Sequence, residues 1–125
     1  TKSILVDLLD NDFQILAFDF PQSGTGVLLK PEKISLPTMN IDIIALKENC
    51  IWFFENKDRY YPKDFDKLYL FKSNLFYYQK SFFEKFKLDL KNYQIKTFIG
   101  LPTIALNKIK QDKRKLVDEI WAVNI

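Results

Sequence analysis

Two runs rich in β-branched and aromatic residues, separated by a short polar break, constrain the fold of this chain more than any other feature. The runs are Met39–Leu46 (MNIDIIAL) and Ile51–Lys57 (IWFFENK), and the break is the segment 47–50 (KENC). Strand-forming runs joined by so few residues are typical of a β-hairpin. Because Asn49 tolerates the positive φ that tight hairpin turns require, we place the turn at Glu48 and Asn49.

The position of the turn decides which residues of the two strands face each other. If Lys47 pairs with Cys50, counting back along one strand and forward along the other brings Asp42 opposite Glu55. Side chains opposed in this way share one side of the sheet, with Cβ atoms about 4.5 to 5.5 Å apart. Lys57 follows Glu55 by two residues and points to the same side. The hairpin is therefore predicted to bring two carboxylates and an ammonium group together.

Such a pair of carboxylates calls for a cation. Two ionised carboxylates about 5 Å apart repel each other by about 3 kcal/mol at an effective dielectric constant near 20, and a strand with a purely structural role would rarely carry them. Carboxylate oxygens, backbone carbonyls and waters are the ligands that Mg²⁺ prefers, and Mg²⁺ often shares phosphate oxygens with a substrate. Asp42 and Glu55 thus indicate phosphoryl chemistry. The alternative is a surface hairpin whose charged side is simply solvated.

Further elements are predicted on both sides of the hairpin. Before it we expect an amphipathic helix at Ser3–Leu9 with Ser3 as N-cap, a helix or strand within 13–20, a turn at Gly24-Thr25-Gly26, and a strand at 27–34 interrupted at Pro31. After it, apolar residues recur every three or four positions beyond Pro62 and predict one long helix with Asp64 as N-cap. The remaining predictions are a strand at Tyr93–Gly100, a loop with a short basic helix at 102–115, and a strand at Glu119–Ile125.

The charged residues of the hairpin resemble the motif of a known family. Asp42, twelve intervening residues and then Glu55-Asn56-Lys57 are similar to the pattern of the PD-(D/E)XK nuclease superfamily, also called restriction-endonuclease-like. The predicted element order is similar to the α-β-β-β-α-β core of that family, with its three strands near 27–34, 39–46 and 51–57. The resemblance covers most of the chain. It implies an α/β fold, with a mixed central sheet flanked by helices, as a single nuclease domain over residues 1–125.

The resemblance also implies a role for each residue of the motif. Asp42 and Glu55 would bind a divalent metal, Mg²⁺ or Mn²⁺, with the backbone carbonyl of Asn56 as a further ligand. Lys57 would orient the attacking water, a role we prefer to that of a base because two neighbouring carboxylates favour its charged form. The implied activity is hydrolysis of phosphodiester bonds. We expect an endodeoxyribonuclease that acts in restriction, defence or DNA processing.

The sequence departs from the family pattern in two places. Ile41, rather than Pro, directly precedes Asp42. Many members carry an acidic residue on the first helix, and here only Asp7 or Asp10 could serve. Whether a second metal is held therefore stays open.

Basic residues after the hairpin are candidates for contact with nucleic acid. The segment 57–96 holds ten Lys or Arg against five Asp or Glu, and a second basic cluster spans 108–115. The stretch 79–83 resembles the Gln-x-x-x-Tyr motif of some family branches, with Phe83 in the Tyr position. A solvated helix face explains the same charges equally well. The candidate contacts are Lys72 and Gln79, which lie seven apart on one side of the predicted helix, together with Lys80, Lys113 and Arg114.

Composition excludes several other classes of site. The chain has 125 residues, enough for one domain, and its net charge of +3 permits contact with polyanions without requiring it. It has no His, which excludes His-ligated zinc and Ser-His catalysis, and its single cysteine, Cys50, excludes an internal disulfide framework. No apolar run approaches the roughly 20 residues of a membrane span. We therefore expect a cytoplasmic protein with no membrane partner.

The partner and the assembly are less constrained by the sequence. DNA is preferred to RNA as the nucleic acid, and cleavage of both strands would call for two active sites, which makes a homodimer a candidate assembly. The chain begins at Thr1 rather than Met, so we allow for its being one domain of a longer protein. The alternative function is a non-catalytic nucleic-acid-binding or assembly module that retains the nuclease fold.

Overall fold

The computed structural model of the chain describes residues 2–18 and 27–123. The predicted turn at 24–26 and the ends of two predicted elements, 19–20 and 124–125, lie outside these residues. The described residues include two 3-10 helices, at Leu90–Asn92 and Thr103–Lys108. The α-helices are α1 (Lys2–Asp10), α2 (Pro62–Ser73), α3 (Leu75–Phe86) and α4 (Gln111–Arg114), and the strands are β1 (Gln14–Phe18), β2 (Val27–Leu29), β3 (Met39–Ile41), β4 (Ile43–Lys47), β5 (Cys50–Asn56), β6 (Gln94–Leu101) and β7 (Glu119–Ala122).

Five strands form one mixed sheet in the order β1-β4-β5-β6-β7. β1, β4 and β5 are antiparallel neighbours, whereas β6 and β7 run parallel to β5. β5 is hydrogen-bonded on both edges and covered on both faces, which explains its nearly continuous apolar run. At the hairpin turn Glu48, with φ 55°, adopts the positive φ that we expected of Asn49. The predicted α/β fold with a mixed sheet flanked by helices is confirmed.

The two faces of the sheet are buried by different helices. Phe53 of β5 points towards α2 and α3, where its ring centre lies 4.7 Å from that of Phe71. Phe54 points to the opposite face and packs against Phe98, at 4.4 Å, in a smaller cluster that includes α1. Because successive strand residues face opposite sides, Glu55 lies on the same face as Phe53. Glu55, the acidic residue of β5, therefore faces the α2 side of the sheet.

The structure corrects the predicted first strand of the sheet. The ambiguous segment 13–20 contains β1, which pairs with β4 and forms one edge. The predicted strand 27–34 instead ends at Leu29, and β2 pairs with β3 in a separate two-stranded ribbon. Pro31 cannot donate to a strand ladder, which is consistent with this early end. The predicted strand 39–46 is also divided, because the chain bends at Asp42 between β3 and β4.

The predicted long helix is in fact two helices. α2 begins at Pro62, whose fixed φ suits the first helical position, and Tyr61 is its N-cap, so Asp64 lies inside the first turn. At Asn74 the backbone leaves the helix, with φ −129° and ψ 29°. The Asn74 side-chain amide donates to the Leu70 carbonyl at 2.8 Å, a bond that competes with the helical pattern. Residues of α2 and α3 therefore do not follow one helical periodicity.

α3 holds the β2–β3 ribbon. The backbone amide of Glu32 donates to the carbonyl of Tyr77 at 2.8 Å. The hydroxyl of Tyr78 donates to the carbonyl of Pro37 at 2.6 Å. α2 packs instead on β6 and α4. The break at Asn74 thus separates a helix on the main sheet from a helix that holds the ribbon.

The elements after the helices agree with their predictions. β6 matches the predicted strand to within one residue at each end, β7 lies within its predicted strand, and the basic segment 102–115 contains a 3-10 helix and α4. Just beyond β5, the backbone amide of Lys57 donates to the carbonyl of Gly100 in β6 at 3.0 Å. The carboxyl ends of β5 and β6 therefore lie side by side. Five residues connect the end of β5 to the start of α2. Within the ranges described, no helix has both the length and the apolar character needed to cross a membrane.

Candidate metal centre

Asp42 and Glu55 are opposed at the open end of the β4–β5 hairpin. The predicted register is confirmed, and its last pair is Ile43 with Phe54. Beyond this pair, Asp42 lies at the bend before β4 and Glu55 continues β5, and their carboxyl groups are close enough to interact. The Oδ2 atom of Asp42 accepts a hydrogen bond from the backbone amide of Asn56 at 2.9 Å. This bond fixes the Asp42 carboxylate against the end of β5.

Glu55 is the buried acid of the pair, with 1% of its surface exposed, whereas Asp42 is half-buried. The pKa of Glu55 is raised to about 8: burial is the largest cause, the Asp42 carboxylate adds to the rise, and the Lys67 ammonium opposes it. Contact with an ammonium group by itself would indicate an ionised carboxylate. The loss of water and the like charge of Asp42 outweigh that contact. Glu55 therefore holds a proton at neutral pH unless further positive charge is supplied.

Lys57 lies beside Glu55, as expected from the alternation of side chains along the strand. Its Nζ atom is 3.9 Å from Oε2 of Glu55 and 3.7 Å from Oδ1 of Asp64. Burial by itself lowers the pKa of this ammonium group, but Asp64, Glu55 and Asp42 outweigh burial and raise it. Lys57 is therefore a cation over the whole neutral range.

Helix α2 contributes two charged residues that the sequence analysis did not assign to the site, Asp64 and Lys67. Lys67 Nζ donates hydrogen bonds to Oε1 of Glu55 and to the backbone carbonyl of Asn40. It therefore ties the end of β5 to the end of β3, on either side of the bend at Asp42. A signal for Asp64 was present in the sequence. The apolar series of this helix, followed back by seven residues from Phe71, reaches Asp64, an acid on a stripe that faces the core.

Five ionisable side chains make up the cluster. Three are carboxylic acids, Asp42, Glu55 and Asp64, and two are amines, Lys57 and Lys67. The Oδ2 atom of Asp64 is buried, and no hydrogen-bond donor reaches it from the described part of the chain. Burial raises the pKa of Asp64, and the two lysines oppose that rise. With three acids against two amines and an unsatisfied buried oxygen, the cluster would be stabilised by a cation that displaces the proton on Glu55.

The residues suit Mg²⁺ better than a metal that needs a closed cage of protein ligands. Over residues 2–18 and 27–123, no group of three or more His, Cys, Asp or Glu side chains could hold a metal by itself. Mg²⁺ usually keeps several waters and takes only one or two carboxylates. Asp42, Glu55 and the carbonyl of Asn56 could provide such a partial shell. Asp7 and Asp10 are exposed on α1, which covers the opposite face of the sheet, so they do not supply a further acid here.

The candidate nucleic-acid contacts do not gather around this cluster. The break at Asn74 removes the common face expected for Lys72 and Gln79, and each is bonded elsewhere. Lys80 is exposed and lines two clefts of about 430 and 540 Å³ beside α3. The partners of the others are Asp118 for Lys72 (2.7 Å), Asp89 for Gln79 (2.9 Å), Asp66 for Lys113 (2.7 Å) and the Leu106 carbonyl for Arg114 (2.8 Å).

The cluster is therefore assembled from three separated parts of the chain. Asp42 comes from the bend before β4, residues 55–57 from the end of β5, and Asp64 and Lys67 from the first turns of α2. Comparison of the chain with protein-family models, with curated proteins and with solved structures gave no match.

Proposed function

We propose that this chain is a Mg²⁺-dependent nuclease that hydrolyses phosphodiester bonds, with DNA as the preferred substrate and internal cleavage as the preferred mode. The observation that carries the proposal is the buried Glu55, which interacts with the Asp42 carboxylate and is flanked by Lys57. A carboxyl group that is 1% exposed and has a pKa raised to about 8 is costly to ionise in a structural role. Perturbed acids of this kind concentrate at functional sites.

The residues of the cluster divide the work between them. Asp42 and Glu55, with the carbonyl of Asn56, would hold the metal at the carboxyl end of β5. When bound, a divalent metal stabilises negative charge on the phosphoryl oxygens and lowers the pKa of a coordinated water. Asp42 is kept in place by its bond to the Asn56 amide, and Glu55 by Lys67. The scissile phosphate would then lie over the open end of the hairpin.

Lys57 acts as a cation and not as a base. Its pKa is raised, with burial opposing the rise and Asp64 favouring it, so it carries no free lone pair at neutral pH. An ammonium group beside the metal ligands can donate a hydrogen bond to the attacking water and offset the charge that develops on the phosphate. Asp64, at 3.7 Å, fixes the direction of the Lys57 side chain.

The order of the elements supports the assignment to a restriction-endonuclease-like fold. α1, the antiparallel strands β1, β4 and β5, the helical layer of α2 and α3, and β6 follow one another along the chain. This order resembles the α-β-β-β-α-β core of the PD-(D/E)XK superfamily, with the β2–β3 ribbon inserted between the first two strands. The spacing of Asp42, Glu55 and Lys57 is similar to that of the family motif, which supports the proposal.

The test is cleavage of supercoiled plasmid with Mg²⁺ or Mn²⁺. The wild-type protein should nick or linearise the plasmid, and EDTA should stop it. Glu55→Ala and Lys57→Ala should abolish cleavage, whereas Lys63→Ala, at an exposed lysine in the first turn of α2, should not. Cleavage that persists in EDTA, or no cleavage of DNA or RNA with either ion, would contradict the proposal. Binding of nucleic acid without cleavage would favour the non-catalytic module instead.

A further inference from the structure

The loop between β5 and α2 carries an arginine and an aromatic ring, and the ring lies near Lys57 of the candidate metal centre. The guanidinium carbon of Arg59 lies 5.8 Å from the centre of the Tyr61 ring. The Tyr61 phenol is close enough to Lys57 to contribute to the electrostatics of that ammonium group. Both side chains face solvent: the side chain of Arg59 is 69% exposed and Tyr61 is 41% exposed. The pair therefore borders the site from the side of the α2 N-terminus.

The backbone that carries Tyr61 is fixed although its ring is exposed. Its carbonyl accepts a hydrogen bond from the amide of Asp64 at 3.1 Å, and Pro62 follows it at the first helical position. The preceding residue, Tyr60, turns inward and packs edge-on against Phe65 at 5.7 Å. Two adjacent tyrosines thus have different environments, one packed on the core and one held outward. The outward ring is not used by the core, which leaves it available to a ligand.

Arg59 is available as well. Its ion pair within the described residues is with the adjacent Asp58, at 3.7 Å, and Asp58 is 68% exposed. Exposed ion pairs of this kind contribute little because water and salt screen them. A phosphate group could compete for the guanidinium, which binds phosphate through two parallel hydrogen bonds.

We infer that Arg59 and Tyr61 form a binding subsite for single-stranded nucleic acid, in which a base stacks on the Tyr61 ring and a neighbouring phosphate binds Arg59. A π-face held beside a cation is the arrangement by which proteins bind unpaired bases without sequence preference. A base within a duplex is stacked on its neighbours and cannot offer its face in this way. The inference rests on the proposed function for its substrate class, and it adds that the strand next to the cleaved bond is unpaired.

The experiment is fluorescence anisotropy with a labelled oligothymidylate and, separately, a labelled duplex, with Ca²⁺ in place of Mg²⁺ to prevent cleavage. Tyr61→Leu keeps an apolar side chain of similar bulk but has no ring, and it should weaken binding of the single strand about tenfold. Tyr61→Phe should bind like the wild type. Arg59→Ala should weaken binding and lower the slope of log K against log salt by about 0.7. Tyr69→Leu, at a tyrosine of α2 that is 52% exposed, is the matched control and should bind normally.

The binding and cleavage experiments together separate the subsite from the proposed nuclease activity. Equal affinities for Tyr61→Leu and Tyr69→Leu, an equal loss on the duplex, or no measurable binding of the single strand by the wild type would overturn the inference. Plasmid cleavage by the wild type together with binding that ignores Tyr61 would overturn the inference alone. Binding that depends on Tyr61, without cleavage under any metal condition, would leave the subsite standing and overturn the proposed nuclease.

Discussion

Replacing Glu55 with Gln removes a buried group that can ionise while keeping the size and much of the hydrogen-bonding capacity of the side chain. The pKa of Glu55 is about 8 in the folded protein, mainly because of burial, against an ordinary value of 4.5. Between these two pH values the folded state holds a proton that the unfolded state has released. The free energy of unfolding therefore falls as pH rises, by about 1.4 kcal/mol per pH unit. This destabilisation begins above pH 4.5 and is complete above pH 8.

The accumulated effect of this one group is large. A slope of about 1.4 kcal/mol per pH unit, from 4.5 to about 8, adds up to about 5 kcal/mol as an upper limit. Glu55→Gln has no proton to lose, so in EDTA it should match the wild type near pH 5 and exceed it by several kcal/mol above pH 8. A substitution at a site residue would thus stabilise the metal-free protein at alkaline pH.

The assay is urea unfolding of both proteins at several pH values between 5 and 8.5 in EDTA, with the difference in unfolding free energy plotted against pH. Comparing the two proteins cancels the contributions of the other titrating groups. Glu48→Gln, at an exposed acid in the hairpin turn, is the matched control and should parallel the wild type. A constant difference between wild type and Glu55→Gln across this range would refute the argument that burial of this carboxyl is costly.

Two further predictions concern the same cluster. Mn²⁺ should raise the Tm of the wild type more at about pH 8.5 than at about pH 6, because the ion must displace the proton on Glu55, and scanning calorimetry showing equal shifts would contradict this. Lys67→Met should slow plasmid cleavage at least tenfold, because Glu55 and the Asn40 carbonyl lose the ammonium that joins them, and Lys67→Arg should restore part of the rate. Lys63→Met is the control, and a normal rate for Lys67→Met would show that Lys67 has no positioning role.

The hairpin and its register could be predicted from the sequence because they depend on local features. The turn position, the alternation of strand side chains and the two apolar runs together bring Asp42 and Glu55 opposite each other, and a shift by one residue would turn Phe53 to the other face. A change in which turn residue carries the positive φ did not alter the pairing. For this part of the site, the order and spacing of residues along the chain were enough to predict the arrangement.

The rest of the fold and of the site depended on contacts that the apolar and charge patterns of the sequence do not specify. The choice of β1 rather than β2 as the sheet edge follows from pairing between distant segments. The helix break follows from the bond of one side chain, Asn74, to a carbonyl within an otherwise regular apolar series. Asp64 had the appearance of an N-cap, and Lys67 that of a solvated lysine, until the N-terminal half of α2 was laid against the end of β5. The spacing puts Asp64 on the core side of α2, but it does not specify which strand end that side contacts.

The break at Asn74 also bears on how this chain can change over evolutionary time. α2 delivers Asp64 and Lys67 to the cluster, while α3 is tied to the β2–β3 ribbon through the backbone of Tyr77 and the hydroxyl of Tyr78. If α2 and α3 were one continuous helix, an insertion or deletion in the half that contacts the ribbon would change the rotation of that half relative to the half that contacts the main sheet. Because the helix is interrupted at Asn74, insertions, deletions and substitutions in the ribbon and α3 can accumulate together without rotating α2. The charged groups at the start of α2 keep their phase throughout.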